Sequence, residues 1–175
     1  MNVERGTTTF VDCEVLDCAE LVTVSEHGNA TIRNCRIGRC ESLGTSGATV
    51  VHGGHLEVID SEFVGNWRAI WILGRNVGQL RMEGTSIAGG VFGIWINSDA
   101  VVDLGGGPLG SSGRNSFNGV EESIIDLRPA YSGPLYAMHN IWESPATGSL
   151  EGPMTGYNPA RCYIENEGNS IIFSD

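Results

Sequence analysis

The sequence predicts an all-β protein built as a parallel β-solenoid, in which each turn of the chain stacks on the turn before it. Two observations predict this class. The 175 residues include 25 glycines and six prolines, a composition typical of short strands joined by turns. Short segments of one form also recur every 22 to 26 residues, and such a period is the signature of stacked repeats. With 41% hydrophobic residues, the chain can bury a core as one domain.

The first strands of the repeat share a form: an apolar residue, any residue, Asp, Asn or Gly, a small residue, a polar residue and a second apolar residue. They are FVDCEV (10–15), IRNCRI (32–37), VIDSEF (58–63) and MEGTSI (82–87). Stacking turns equivalent positions into ladders with rungs about 4.8 Å apart. Two inward ladders follow, Phe10, Ile32, Val58 and Met82, and Val15, Ile37, Phe63 and Ile87. An outward strip of alternating charge is expected at Glu14, Arg36, Glu62 and Ser86.

The second strands alternate an apolar residue, another residue and an apolar residue, as half-buried strands do. They are VTV (22–24), ATV (48–50), IWI (70–72), IWI (94–96) and IDL (125–127). The alternation predicts an inward ladder of Val22, Ala48, Ile70, Ile94 and Ile125, and an outward ladder of Thr23, Thr49, Trp71, Trp95 and Asp126. Two indoles one rung apart would expose roughly 300–500 Å² of apolar surface, so we expect them to be covered. Three kinds of cover stay open. The first is the chain itself, near Phe92, through residues 105–123 or through the tail; the second is another copy of the chain, and the third is a bound sugar.

Five cysteines show no metal-ligand spacing, and no metal site is predicted. Cys13 lies 22 residues before Cys35, and Cys18 lies 22 residues before Cys40, so each pair is expected on adjacent rungs. Two readings stay open for them: buried thiols that fill tight corners, and disulfides between adjacent rungs. Cys162 is expected to be inert packing.

Three further stretches carry a family resemblance: VVDLGGGPLGSSGRNSF (101–117), IIDLRP (124–129) and LYAMHNIW (135–142). Together with the strand units, they resemble the right-handed parallel β-helix (pectate-lyase-like) superfamily, and more closely its bacterial repeat proteins of uncertain function. The resemblance implies a single-stranded right-handed β-helix of about five to six coils over residues 1–142. Residues 143–175 are expected to pack on the helix or cap its C-terminal end, within the same domain. Residues 1–6 offer no capping helix, so we expect the N-terminal end to be covered by more chain or by oligomerisation.

The charge balance narrows the function. Ten Lys and Arg residues stand against 21 acidic ones, a formal net charge of −11 that disfavours nucleic acid and anionic membranes as partners. No stretch approaches the roughly 18 apolar residues of a membrane span, and residues 1–20 do not form a signal peptide. An extracellular or cell-surface location is expected from the resemblance.

Three functions stay open. A non-catalytic module that binds carbohydrate is favoured, with Trp71, Trp95, Asp126, Arg68 and Thr49 forming the groove, because indoles stack on the C–H faces of sugars. The resemblance also implies an alternative, a polysaccharide lyase or hydrolase, whose weak catalytic candidates are Asp99, Asp103 and Asp126. No cofactor is expected, and no motif supports calcium. The third is a scaffold that self-assembles through the Trp face or the N-terminal end.

Overall fold

The computed structural model describes residues 1–40, 43–128, 130–131 and 134–143, together with the backbone of three later strands at 153–155, 162–164 and 170–172. All regular structure in these residues is β-strand. The described residues form no helix that is long and apolar enough to cross a membrane.

Twenty-one strands, numbered along the chain, form three sheets of seven strands each. The first sheet contains β1 (Asn2–Glu4), β4 (Val22–Ser25), β7 (Ala48–Val51), β10 (Arg68–Leu73), β13 (Phe92–Asn97), β16 (Ser123–Leu127) and β20 (Cys162–Ile164). The second contains β2 (Thr7–Val11), β5 (Asn29–Arg33), β8 (His55–Ile59), β11 (Gly78–Glu83), β14 (Ala100–Asp103), β17 (Pro134–Tyr136) and β21 (Ser170–Ile172). The third contains β3 (Glu14–Leu16), β6 (Arg36–Gly38), β9 (Glu62–Val64), β12 (Ser86–Ala88), β15 (Ser116–Asn118), β18 (Ile141–Glu143) and β19 (Pro153–Thr155).

Strands β1 to β18 form six coils, each of which gives one strand to each sheet. Every strand in these coils pairs in parallel with its equivalent in the next coil, so the predicted parallel β-helix of about six coils is confirmed. The later strands extend the sheets: β20 pairs with β16 and β21 with β17 in parallel, whereas β19 pairs with β18 antiparallel.

The register confirms the predicted inward ladders. Phe10 pairs with Ile32, Ile32 with Val58, and Val58 with Met82. The ladders from Val15 to Ile87 and from Val22 to Ile125 are aligned in the same way. Apart from the half-buried Phe10 and Val15 of the first coil, these side chains are buried in one continuous core. Burial of each large apolar side chain stabilises the fold by about 1.5–3 kcal/mol before the entropy cost.

A column of small and polar residues lines the bend between the second and third sheets. We call Cys35, Ser61, Thr85, Asn115 and Asn140 the corner column. In each step the backbone N–H of one residue donates to the side-chain oxygen of the next, at 3.1, 3.3, 3.0 and 2.9 Å in chain order. The buried polar groups of this bend therefore satisfy one another from coil to coil.

Four of the cysteines are free thiols stacked in the two predicted pairs. The Cys13 and Cys35 thiols each donate to a backbone carbonyl two residues earlier, at 3.2 Å. The Cys18 and Cys40 sulfurs lie 3.0 Å apart in a hydrogen-bonded contact. Burial raises the pKa of the Cys40 thiol to about 12, and it also raises the pKa of Cys35. The side chain of Cys162 lies outside the described residues.

Candidate functional site

The outward ladder of the first sheet is aligned as predicted. Thr23 pairs with Thr49, Thr49 with Trp71, Trp71 with Trp95, and Trp95 with Asp126. The isoleucines on either side of each Trp are fully buried, whereas both indoles are half-buried. Trp71 and Trp95 therefore point away from the core on adjacent coils, and we call the outer surface around them the aromatic face.

The start of β10 breaks the strict alternation of a strand. Ala69 and Ile70 are both buried in the core, and Arg68 therefore reaches the same outer side as Trp71. The same happens in β16, where Ile124 and Ile125 are both in the core. Gly93 lies in β13, the strand between β10 and β16. An added Cβ there would lie 2.3 Å from the carbonyl oxygen of Ile124, so the stacking of the coils leaves no room for a side chain.

This break adds a second row of residues to the aromatic face. Arg68 pairs in register with Phe92, and its guanidinium carbon lies 3.9 Å from the ring centre of Trp71 and 5.0 Å from that of Trp95. Phe92 contacts Trp95 edge-on at 4.6 Å, and Trp67 contacts Phe92 edge-on at 5.7 Å. The face is thus an aromatic cluster with a cation held between two indoles.

The expectation that the chain covers the indoles holds for Phe92, which lies against Trp95. The glycine-rich loop within residues 105–123 lies elsewhere, against Met138, which follows strand β17 of the second sheet. A Cβ at Gly105 or Gly113 would lie 2.0 or 2.4 Å from the carbonyl oxygen of Met138. Strand β20 continues the first sheet beyond β16 and pairs edge to edge with it. Strands β21 and β19 of the tail pair with the second and third sheets, and its remaining residues after 143 lie outside the described part of the chain.

The aromatic face carries two arginines in opposite electrostatic situations. Arg128 stacks 4.5 Å from the ring centre of Trp95 and forms a two-pronged ion pair with Asp126, with both N–O distances 2.8 Å. Arg68 is only 6% exposed, and no carboxylate of the described residues lies within ion-pair distance of it. Burial lowers the pKa of Arg68 because it disfavours the charged guanidinium.

Four buried donors of this face have no hydrogen-bond partner among the described residues: Arg68 Nε, Trp71 Nε1, Ser46 Oγ and Ser123 Oγ, the last in register with Phe92. A buried donor without a partner costs about 1–3 kcal/mol, so each one needs an explanation. Ser46 and Trp71 line the same groove, which has a volume of 370 Å³. The groove is further lined by Ala19, Glu20, Thr23, Gly44, Thr45, Thr49, Val51 and Leu73.

Two threonine hydroxyls that line this groove donate hydrogen bonds to the same carboxylate. Glu20 accepts hydrogen bonds from Thr23 Oγ1, at 2.5 Å, and from Thr49 Oγ1. Thr49, predicted as a ligand-binding residue, is 4% exposed and forms part of the groove wall. Glu20 is therefore engaged with the two threonines on neighbouring coils, and its charge does not reach Arg68 as an ion pair.

The three carboxylates named as weak catalytic candidates do not form one constellation. Asp103 is fully buried, and its two oxygens accept four backbone N–H bonds, from Gly105 and Gly107 at 3.0 Å, from Leu109 at 2.9 Å and from Ser111 at 3.2 Å. It holds the glycine-rich loop together. Asp99 is exposed between β13 and β14, and Asp126 is paired with Arg128.

Sequence reasoning named Trp71, Trp95, Arg68, Thr49 and Asp126, and the structure brings all five to the outer side of the first sheet. It did not identify Ser46 and Arg128 as members, nor the packing of Trp67 on Phe92. For Trp67 alone the register was an available signal, because Phe92 stands 24 residues after its neighbour Arg68, the same interval that separates the two indoles.

A second, larger groove of 520 Å³ follows the turns between the second and third sheets, beside the corner column. Its polar side chains pair across coils: Asn34 donates to Asp12, and Arg36 contacts Glu14 and Glu62. Within the described ranges, no three His, Cys, Asp or Glu side chains are grouped so that they could hold a metal ion. The aromatic face is therefore the strongest candidate site.

Comparison with known proteins gives a family and no further relative. Residues 16–148, about three quarters of the chain, match the family described as "Protein of unknown function (DUF1565)". No curated protein and no solved structure matched the chain.

Proposed function

For this chain, which belongs to the DUF1565 family, we propose the function of a non-catalytic β-helix module that binds carbohydrate on the aromatic face. The observation that carries the proposal is the stacked pair of outward, half-buried indoles, Trp71 and Trp95, on adjacent coils. Pyranose rings present flat C–H surfaces that stack on indoles, and large aromatic side chains dominate binding sites of this kind. A glycan chain that runs along the coil axis meets the two rings in succession.

The groove beside Trp71 supports the same ligand class. Its walls carry the hydroxyls of Thr23, Thr45, Ser46 and Thr49. The unpaired donors Ser46 Oγ and Trp71 Nε1 lack acceptors within the described residues, and sugar oxygens are acceptors. Small-molecule sites typically combine an apolar surface with a few such polar groups.

The state of the carboxylates supports binding without bond cleavage. Acid–base hydrolysis needs two carboxyl groups on either side of the scissile bond, with one free to take or give a proton. Both oxygens of Asp103 are occupied by backbone N–H groups, and Asp126 is neutralised by Arg128. Neither can exchange protons with a substrate without breaking these contacts.

The test is a titration of the purified chain with a panel of neutral and acidic polysaccharides, followed by tryptophan fluorescence. We expect saturable quenching by at least one glycan, and a loss of affinity of about 30-fold in Trp71→Ala or Trp95→Ala, the scale of a binding hot spot. Val77→Ala, on the exposed turn after β10, is the control and should bind like the wild type.

Three results would overturn the proposal. One is the absence of any response across the panel. The second is a concentration-dependent mass in light scattering that disappears in Trp71→Ala with Trp95→Ala, because the face would then be a self-association surface. The third is the release of reducing or unsaturated sugar that is lost in Asp99→Ala or Asp126→Ala, which would make the chain an enzyme.

A further inference from the structure

We propose that the glycan bound on the aromatic face is anionic, and that Arg68 binds its acidic group, a carboxylate or a sulfate ester; the inference rests on the proposed carbohydrate binding. It starts from one observation. The Arg68 side chain is more than nine-tenths buried, its Nε has no hydrogen-bond partner in the described residues, and no carboxylate there pairs with it.

A buried cation normally has a counter-charge, because removal from water without one is costly. Trp71 and Trp95 offset part of that cost, since both rings lie within cation–π distance of the guanidinium. An indole face supplies no hydrogen-bond acceptor in the guanidinium plane, so the buried Nε–H of Arg68 has no acceptor among the described residues. An anionic group of a ligand supplies both the charge and the acceptors.

The neighbouring arginine on the same face, Arg128, has its counter-ion within the protein. Arg128 also stacks on Trp95, but Asp126 meets it with both oxygens. The chain therefore neutralises one stacked arginine and leaves the other without an anion within the described residues. The formal net charge is −11, so carboxylates are abundant in the sequence, yet none of those in the described residues pairs with Arg68.

The chemistry of the groove fits an acceptor-only group. Trp71 Nε1 and Ser46 Oγ in the groove, and Arg68 Nε beside it, are donors without partners among the described residues, and a carboxylate or sulfate offers only acceptors. Gly44 lies at the edge of this region, and a Cβ there would stand 3.9 Å from Arg68 Nη2. The loop thus passes the guanidinium with its smallest residue.

The overall charge predicts an unusual salt dependence. An acidic protein repels a polyanion at long range. At 0.1 M salt this repulsion is largely screened beyond a distance of about 10 Å. The contact with Arg68 is short and desolvated, so salt weakens it less. Binding of an acidic glycan should therefore hold or strengthen between 20 and about 150 mM salt, whereas a basic surface would lose affinity steeply.

The test compares neutral, uronate-bearing and sulfated members of the panel, and a matched set of dextran, carboxymethyl dextran and dextran sulfate. We expect the tightest ligands to be acidic, and Arg68→Gln to lower their affinity at least about tenfold while neutral glycans change less than about twofold. The carboxylated and sulfated arms identify the source of the anion. Arg75→Gln, which removes the same charge from the exposed turn after β10, is the control and should leave affinity unchanged.

The outcomes separate the two proposals. If neutral glycans bind as tightly as acidic ones, or if Arg68→Gln binds acidic glycans like the wild type, the anionic inference is overturned and carbohydrate binding stands. If no glycan binds at all, both are overturned. Arg68→Lys guards against a folding defect: with an unchanged thermal midpoint it should bind acidic glycans with intermediate affinity, because it keeps the charge but not the fork of donors.

Discussion

The corner column and the aromatic face are built by the same stacking, yet they use their polar groups in opposite ways. In the corner column each side-chain oxygen accepts an N–H from the neighbouring coil, and Asn115 also donates to two carbonyls, of Met82 at 3.1 Å and of Leu104 at 2.8 Å. On the aromatic face, Arg68, Trp71 and Ser46 keep buried donors without partners in the described residues. The two regions therefore differ in how completely they pair their buried polar groups, and on our proposal the unpaired donors of the aromatic face meet a ligand.

The largest expected effect comes from breaking the corner column. Asn115→Ala removes an acceptor and two donated bonds from a fully buried position. The N–H of Thr85 loses its side-chain acceptor, whereas the carbonyls of Met82 and Leu104 each keep one bond, from Ser111 and Asn140. We expect the free energy of unfolding to fall by about 2–4 kcal/mol in urea. Asn118→Ala, exposed at the end of β15 and three residues after Asn115, is the control and should change it by less than about 0.5 kcal/mol. Equal effects of the two substitutions would refute the assigned role of the column.

Removal of a buried polar group from the aromatic face should not lower stability in this way. Arg68→Met removes a desolvated charge that has no counter-ion in the described residues and keeps most of the side-chain volume. Because the lost cation–π contact and the relieved desolvation oppose each other, we expect stability to stay the same or to rise by about 1 kcal/mol. A loss of more than about 2 kcal/mol in urea would mean that Arg68 serves the fold, and the contrast between the two regions would disappear.

Among the stacked thiols, Cys40 is predicted to react slowly in the folded chain. A pKa of about 12 leaves Cys40 with roughly a thousandfold less thiolate at pH 8.5 than an ordinary thiol, so iodoacetamide should modify it far more slowly in the folded chain than in urea. A raised pKa also fixes the sign of the pH effect: the contribution of Cys40 to stability is complete below about pH 8.5 and is lost as the pH rises towards 12. Mass spectrometry of modified peptides checks the first point, and rapid native labelling of Cys40 would contradict it.

The smallest effect is expected in the charged strip of the third sheet. As predicted, Arg36 pairs with Glu14 at 3.1 Å and with Glu62 at 3.0 Å, and all three side chains are about half exposed. Exposed pairs contribute little, so Arg36→Gln should change the free energy of unfolding by less than about 0.5 kcal/mol, and less still in 0.5 M salt. A thermal or urea denaturation series with a larger loss would show that the strip matters to the fold.

The coil register could be predicted from the sequence because each coil repeats its chemistry at fixed intervals. FVDCEV and IRNCRI align by eye, and the period-two alternation then dictates which way Ile70 and Trp71 point. The position of Arg68 beside Trp71 depends on two consecutive buried residues, Ala69 and Ile70, and no alternating pattern predicts such a break. Ser46 and Arg128 join the face through loop geometry, which repeats do not encode. The role of Asp103 depends on four backbone N–H groups, which are invisible in a sequence.

One measurement tests the central claim directly: a two-dimensional ¹H–¹⁵N spectrum of the indole and guanidinium N–H groups during titration with the best acidic glycan of the panel. The account predicts that Trp71 Nε1–H and Arg68 Nε–H shift together and saturate. Trp142, fully buried against Phe117 at 4.5 Å, should stay in place as the internal control. If Trp71 and Arg68 keep their resonances while a glycan binds, the ligand lies elsewhere and the aromatic face is not its site.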